Sequence, residues 1–387
     1  MTDPLTWPGI FAQLGLQLWP VWIAIVLLFA VSISFKRHLG LYGKLFDSTI
    51  GMFGFTLVMF WVFTALFADL IVTHDPLAQF SGMRNAGPGS ALRDPAGGYP
   101  HFLLGGDALA RDVFSRMVMG AREVLRIAPF AAMISFMIGI SLGLPAGYIG
   151  GKLDTGLTFV ANLVLAFPVI LLFFLLVAPE IQNTAIPRVM AGFLFLMPVL
   201  FFTVLLNARF FTQPMKRNLY VGAVVIVGLW AYSGLAFNAD PFGVWGMSPN
   251  LLNVFVAVVF VNAPTVFRIV RGITMDIKTR DYVAAAQTRG EGPWYIMMWE
   301  ILPNARGPLI VDFCLRIGYT TILLGTLGFF GLGVAPESPD WGSTINQGRR
   351  LLTVYPHAAL APALALMSLV LGLNLLADGL REESLKD

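Results

Sequence analysis

The sequence predicts an all-α, polytopic membrane protein, a helix bundle with about nine transmembrane helices. Three observations carry that prediction. Of 387 residues, 57% are hydrophobic and 12% charged, about half the charged share of a soluble domain, so lipid must take up the apolar surface. Nine apolar stretches are each long enough to cross a hydrocarbon core about 30 Å thick. The basic residues between these stretches fall unevenly on the two sides that the stretches would separate.

The predicted spans are 14–35, 50–72, 127–149, 155–178, 189–206, 219–237, 251–267, 308–330 and 358–377. No basic n-region precedes the first run, which is long enough to span, so it is read as a transmembrane helix and not as a cleaved signal. Pro145, Pro168 and Pro198 fall within spans, where bilayer helices tolerate them. With the N-terminus outside, the inside segments hold fifteen Lys and Arg residues and the short outside loops hold three, Arg188, Arg349 and Arg350. The long segment 73–126 carries six more, but long loops cross largely regardless of charge. The balance predicts an outside N-terminus and an inside C-terminus. One cysteine, Cys314, excludes an intrachain disulfide, and four scattered His show no metal-ligand spacing. His101 and His357 read as solvated loop residues, and Trp19 and Trp61 as interfacial anchors or packing.

The inside segment 272–307 carries the densest local signals. Asp281 is a plausible N-cap, Ala284, Ala285 and Ala286 are strong helix formers, and Gly290 suits a left-handed helix stop. Pro293 stands where a second helix can start, and Pro303 is expected to break it. These residues predict an L-shaped helical elbow with a small-residue face that another protein could approach closely. The plainer alternative is an amphipathic surface loop.

Here the sequence resembles a known family. Ala284-Ala-Ala-x-x-x-Gly290, with Leu302-Pro303 following, is similar to the ATPase-docking loop of ABC importer permeases, in particular the C-type permease of the dipeptide/oligopeptide/nickel importers. Leu104-Gly-Gly-Asp107-Ala-Leu-Ala-Arg111-Asp112-Val-Phe-Ser115-Arg116 resembles the family's outside signature, and Gly120-Ala-Arg122 follows in register. Ala146-Gly-Tyr-Ile-Gly-Gly151-Lys-Leu-Asp154, Ala166-Phe-Pro168, Arg268-Ile-Val-Arg271-Gly272, Gly331-Leu-Gly-Val-Ala-Pro336-x-x-Pro339-x-Trp341-Gly342 and Asn374-Leu-Leu-Ala-Asp378-Gly-Leu-Arg381 complete the match. It covers roughly residues 45–180 and 250–382.

The resemblance implies a type I ABC importer permease with a six-helix core. Residues 1–45 then form an extra N-terminal transmembrane helix and 46–382 the permease core. That core contains a periplasmic loop (73–126), a two-helix insertion (about 185–240) and the cytoplasmic docking loop (272–307). Asp281, Tyr282, Ala284, Ala285, Ala286, Arg289, Gly290, Leu302 and Pro303 are the docking residues it implies, and Asp107, Arg111, Asp112 and Arg116 the periplasmic signature. Ala284 stands where the family usually has Glu, while Gly106 and Ala110 replace the usual Thr and Gly. The implied partners are a homologous second permease, two ATPase subunits or domains, a periplasmic solute-binding protein and membrane lipid, with no nucleic acid. The implied location is the bacterial cytoplasmic (inner) membrane.

A phosphate-cradling G-x-x-x-x-G-K-[ST] loop is missing: the pairs Gly43-Lys44 and Gly151-Lys152 are each followed by Leu and lack the earlier glycine. No cofactor is expected in this chain; ATP and Mg belong to the partner subunits. The acidic and basic residues of 73–126 read as a salt-bridged helix on the outside face, touching a binding protein or the second permease, in preference to a catalytic carboxylate pair. Asp312 and Arg316 lie in the eighth span at i,i+4 spacing, on one helix face. They form either a structural ion pair or part of the translocation path, with Arg316 meeting an anionic substrate group. A self-contained secondary transporter would show internal repeats with matching broken helices, and an intramembrane enzyme a facing catalytic pair; the sequence displays neither.

Overall fold

The computed structural model describes residues 3–93, 98–332 and 338–384, and these are overwhelmingly helical. Residues Gly333 to Pro336 of the carboxyl-terminal motif lie outside the described residues, as does Lys386. In chain order the helices are α1 (Trp7–Gln17), α2 (Trp19–Ser34), α3 (Gly40–Lys44), α4 (Thr49–Leu66) and α5 (Ala68–Ile71). A two-stranded antiparallel hairpin follows, β1 (Ser90–Ala91) and β2 (His101–Phe102), with Ser90 opposite Phe102. Then come α6 (Val113–Ile149), α7 (Gly151–Leu165), α8 (Val169–Val177), α9 (Pro179–Gln182), α10 (Ile186–Arg209), α11 (Pro214–Phe237) and α12 (Pro249–Ile277). The remainder are α13 (Asp281–Thr288), α14 (Pro293–Tyr295), α15 (Leu302–Asn304), α16 (Arg306–Phe329), α17 (Trp341–Arg349) and α18 (His357–Ser384).

Seven single helices among the described residues are long and apolar enough to cross a membrane, namely α4, α6, α10, α11, α12, α16 and α18. The first and fourth predicted spans are bent pairs instead. α1 and α2 meet at 57°, and α7 and α8 at 81°. Counting each pair as one span gives nine. The physical cause is local. Pro20, in the first turn of α2, has no N–H to continue the ladder from α1, and Pro168 does the same ahead of α8.

The chain divides into two compact units. The first comprises Met1–Pro129 and Cys314–Asp387. Within it α4 and α18 pack closely because glycines face each other. A Cβ on Gly54 would sit 2.4 Å from the Leu376 backbone nitrogen, and one on Gly379 would sit 2.4 Å from the Gly51 Cα. Such small-residue seams suit bilayer helices, whose association relies on close van der Waals packing. Trp341 is fully buried; its indole N–H donates to the Met117 carbonyl at 2.9 Å, and its ring lies edge-on to Trp61 at 5.1 Å. Trp61 in turn donates to Ser368 Oγ at 2.9 Å, so this residue packs in the unit's interior and is not an interfacial anchor. The carboxylate of Asp340 caps α17 by accepting from the Ser343 N–H at 2.8 Å. Burial pushes that carboxyl above its ordinary range while the bonds from Ser343 pull it back.

The second unit is Phe130–Phe313. Here Gly139, Gly143 and Gly147, one every four residues on α6, meet Val266, Val270 and Thr274 of α12. A Cβ on each glycine would fall 2.4, 2.8 and 2.7 Å from those side chains. α7 is tied to α12 by a two-pronged ion pair, Arg271 Nη2 to Asp154 Oδ2 at 2.6 Å and Arg271 Nε to Asp154 Oδ1. Two motifs more than a hundred residues apart in the sequence are thereby joined. α10 and α11 form an antiparallel hairpin with many exposed apolar side chains, among them Val189, Phe193, Leu219 and Ile226, as lipid-facing helices require.

Candidate docking loop

Residues 278–305 build the elbow that the sequence predicts, with corrections in detail. Asp281 is the first helical residue of α13 and not its cap; Arg280 holds the cap position. A carboxylate in the first turn still opposes the helix dipole favourably. The helix ends in a two-bond stop of the Schellman kind: Gly290 N–H donates to Gln287 O at 2.9 Å and Glu291 N–H to Ala286 O at 3.2 Å. Gly290 pays for this turn with φ +77°, which other residues adopt only with strain.

The second limb starts at Pro293, as predicted, but Pro303 does not break it. The chain widens into a π-helical segment, Ile296–Ile301, and continues helically through Leu302–Asn304. Widening the turn accommodates a proline that has no N–H to give.

Burial sorts the candidate residues. Val283 and Ala286 are fully buried, three positions apart on one face of α13, in a core with Leu144, Val270, Ile296, Met297 and Ile301. Ala286 therefore points inward and does not belong to an approachable face. Asp281, Tyr282, Ala284, Ala285, Arg289 and Gly290 are exposed, as is Pro303, while Leu302 is half-buried. Partial loss of water around it lifts the Tyr282 phenol above its ordinary range.

Polar contacts fix the elbow to its unit. Arg289 pairs with Glu300 at 2.8 Å, closing one limb on the other. Gln287 donates to Tyr148 OH at 3.1 Å, and Lys278 Nζ to the Gly147 carbonyl at 2.8 Å, both at the end of α6. The product is a small exposed alanine face on a helix held at several points.

The signature residues differ from expectation. Asp107, Arg111, Asp112 and Arg116 are at most 3% exposed, so they build the loop from within and offer no surface to a partner. Only Arg116 is helical; the other three precede α6. Asp107 accepts from the Leu109 and Arg111 N–H groups at 2.8 and 2.9 Å and from Arg111 Nε at 2.8 Å. Arg111 also donates to Gln347, and Arg116 to Thr344 Oγ1 at 3.1 Å. Asp112 accepts from Thr73 at 2.7 Å and from Ser115 Oγ at 2.6 Å, and lies 3.2 Å from His74 Nδ1. His74 is a half-buried member of this network that the charge pattern alone does not reveal. His357 is half-buried against the Gly106 carbonyl at 3.2 Å and is not a solvated loop residue. Ala110 has φ +62°, which accounts for glycine as the usual residue there. On the adjoining surface Arg122 grips Asp69 with two 2.8 Å bonds.

Asp312 and Arg316 both lie on α16, one turn apart. Asp312 is half-buried and Arg316 buried, with its guanidinium 5.8 Å from the Tyr319 ring.

An apolar helix bundle with helices long enough to cross a membrane, carrying a glycine-stopped elbow with an exposed alanine face, has the architecture of a membrane permease. The family model of the binding-protein-dependent transport system inner membrane component matches residues 139–382, and the chain belongs to that family. It is 31% identical over 326 residues to the glutathione transport system permease protein GsiD of Pectobacterium atrosepticum, covering 84% of this chain and 83% of the relative. It is 28% identical over 334 residues to the dipeptide transport system permease protein DppC of Haemophilus influenzae, covering 86% and 88%. It is 29% identical over 329 residues to the di/tripeptide transport system permease protein DppC of Pseudomonas aeruginosa, covering 85% of each.

Proposed function

We propose that this chain is one of two homologous permease subunits that together form the pathway of an ATP-driven importer for peptides or peptide-like solutes. The observation that carries the proposal is the elbow: Ala284 and Ala285 are exposed beside the Gly290 stop, and the helix bearing them is anchored through Val283 and Ala286. Two ATPase subunits dock on such elbows, one under each permease. Their ATP-driven closure moves the elbows and alternates access across the membrane. The relatives named for glutathione, dipeptide and di/tripeptide transport supply the substrate class.

ATP and Mg are held by the partners, since this chain offers no phosphate cradle. A periplasmic solute-binding protein delivers the substrate. The N-terminus faces the periplasm and the C-terminus the cytoplasm, on the strength of the basic-residue balance. Asp312 and Arg316 have two roles open within this reading, a structural pair or a lining of the path, and exchanging the two residues separates them. A structural pair tolerates the swap in part; a substrate contact does not.

The test is reconstitution. The purified chain alone should bind and hydrolyse no nucleotide, and the full complex should show peptide-stimulated ATP hydrolysis with uptake. Hydrolysis that survives removal of every other subunit would overturn the proposal.

A further inference from the structure

The inserted hairpin α10–α11 lies outside the stretches that resemble the family core, yet its first helix runs to the docking elbow. Three observations meet there. Trp299, in the π-helical segment, donates its indole N–H to the Leu205 carbonyl of α10 at 3.3 Å. The Arg209 guanidinium, at the end of the same helix, lies over that indole, 4.5 Å from the ring centroid. Phe201 of α10 is buried in the core that also holds Val283, Ala286, Ile296 and Ile301, with Val204 and Leu205 packed against it. Beyond the clamp, the turn after α10 and the elbow residues Gly290 to Tyr295 line one groove of about 550 Å³.

We propose that the inserted hairpin is a coupling brace, in which α10 clamps Trp299 and so fixes the angle at which the elbow meets its ATPase. The inference rests on the docking role given above. A π-helical turn is an uncommon departure from the α-helical ladder, and here Pro303, with no N–H to give, stands two residues past its end. A lever that must transmit force through such a turn needs lateral support. The indole supplies a rigid plane, Leu205 fixes its edge and Arg209 covers its face. Arg209 and Trp299 are positioning residues: they act through the elbow and touch neither nucleotide nor substrate.

The test uses the complete importer in proteoliposomes, reading substrate moved per ATP hydrolysed together with the amount of ATPase retained. Arg209 is exposed, so Arg209→Gln should leave folding intact. Arg209→Gln removes the cation–π contact and Trp299→Phe the indole N–H bond to Leu205, and each should lower substrate per ATP by about 2- to 5-fold, with the ATPase still bound. Arg209→Lys, which keeps a cation over the ring, should recover most of the loss. Unchanged coupling in Arg209→Gln and Trp299→Phe, while Ala285→Trp uncouples, would overturn the brace and leave the docking role standing. Loss of the bound ATPase in Arg209→Gln would make this a contact surface and overturn positioning. Full coupling in Ala285→Trp would instead overturn the docking role itself, and the brace with it.

Discussion

Gly290→Ala tests the elbow's geometry in isolation from its packing. A Cβ at Gly290 meets nothing within 4 Å, so the substitution changes only what the backbone tolerates. Holding an L-residue at φ +77° costs about 1–2 kcal/mol. Replacing glycine also restricts the unfolded chain, which returns about 0.4–1 kcal/mol. Taken at mid-range the difference is about 0.8 kcal/mol, which should raise the population of the opened helix end by about 4-fold. The amides that report it are those of Gly290 and Glu291, bonded to Gln287 and Ala286. Hydrogen exchange of a peptide spanning 281–295, measured on the chain in nanodiscs, should accelerate by that factor. Gly290→Asn should accelerate it less, because asparagine visits the left-handed region more readily. Wild-type protection in Gly290→Ala, or a larger loss for asparagine than for alanine, would refute the reasoning.

Three further outcomes are expected. Ala286→Leu forces extra volume into a closed core and should destabilise the purified chain by about 1–3 kcal/mol, whereas Ala285→Leu should leave thermal stability nearly unchanged and reduce ATPase retention; the reverse pattern in a thermal-unfolding and pull-down comparison would reject the assigned faces. Asp107→Ala leaves Arg111 buried without its carboxylate and should cost about 3–5 kcal/mol, seen as loss of the protein from membranes; wild-type abundance and thermal stability would contradict the burial described. A cysteine replacing Pro4 should label with a membrane-impermeant maleimide from outside, and a reporter fused after Lys386 should be cytoplasmic; an N-terminus protected from outside reagent would reverse the proposed orientation.

The apolar spans were legible because a bilayer tolerates little else at that length, and the elbow because Gly290 and Pro293 each have few other uses at their positions. The bends at Pro20 and Pro168 were not legible, since a proline inside a long apolar run is equally compatible with a continuous bilayer helix. Ala286 could not be separated from Ala284 and Ala285, because three alanines in an eight-residue helix carry no hydrophobic contrast. The signature residues looked like a surface because they are charged. The distant partners of Arg111 and Arg116, Gln347 and Thr344, lie more than 220 residues further along the chain. The clamp on Trp299 was hidden for the same reason, with Leu205 94 residues away.

The central claim, that the alanine face beside Gly290 receives an ATPase, is tested most directly by cross-linking from Ala285→Cys in the assembled importer. Cys314 is buried and should give little background. A short thiol-directed photo-cross-linker at position 285 should capture the ATPase subunit, and the same probe at Ile226→Cys, on an exposed apolar position of α11, should not. No capture from position 285, or equal capture from both positions, would contradict the account.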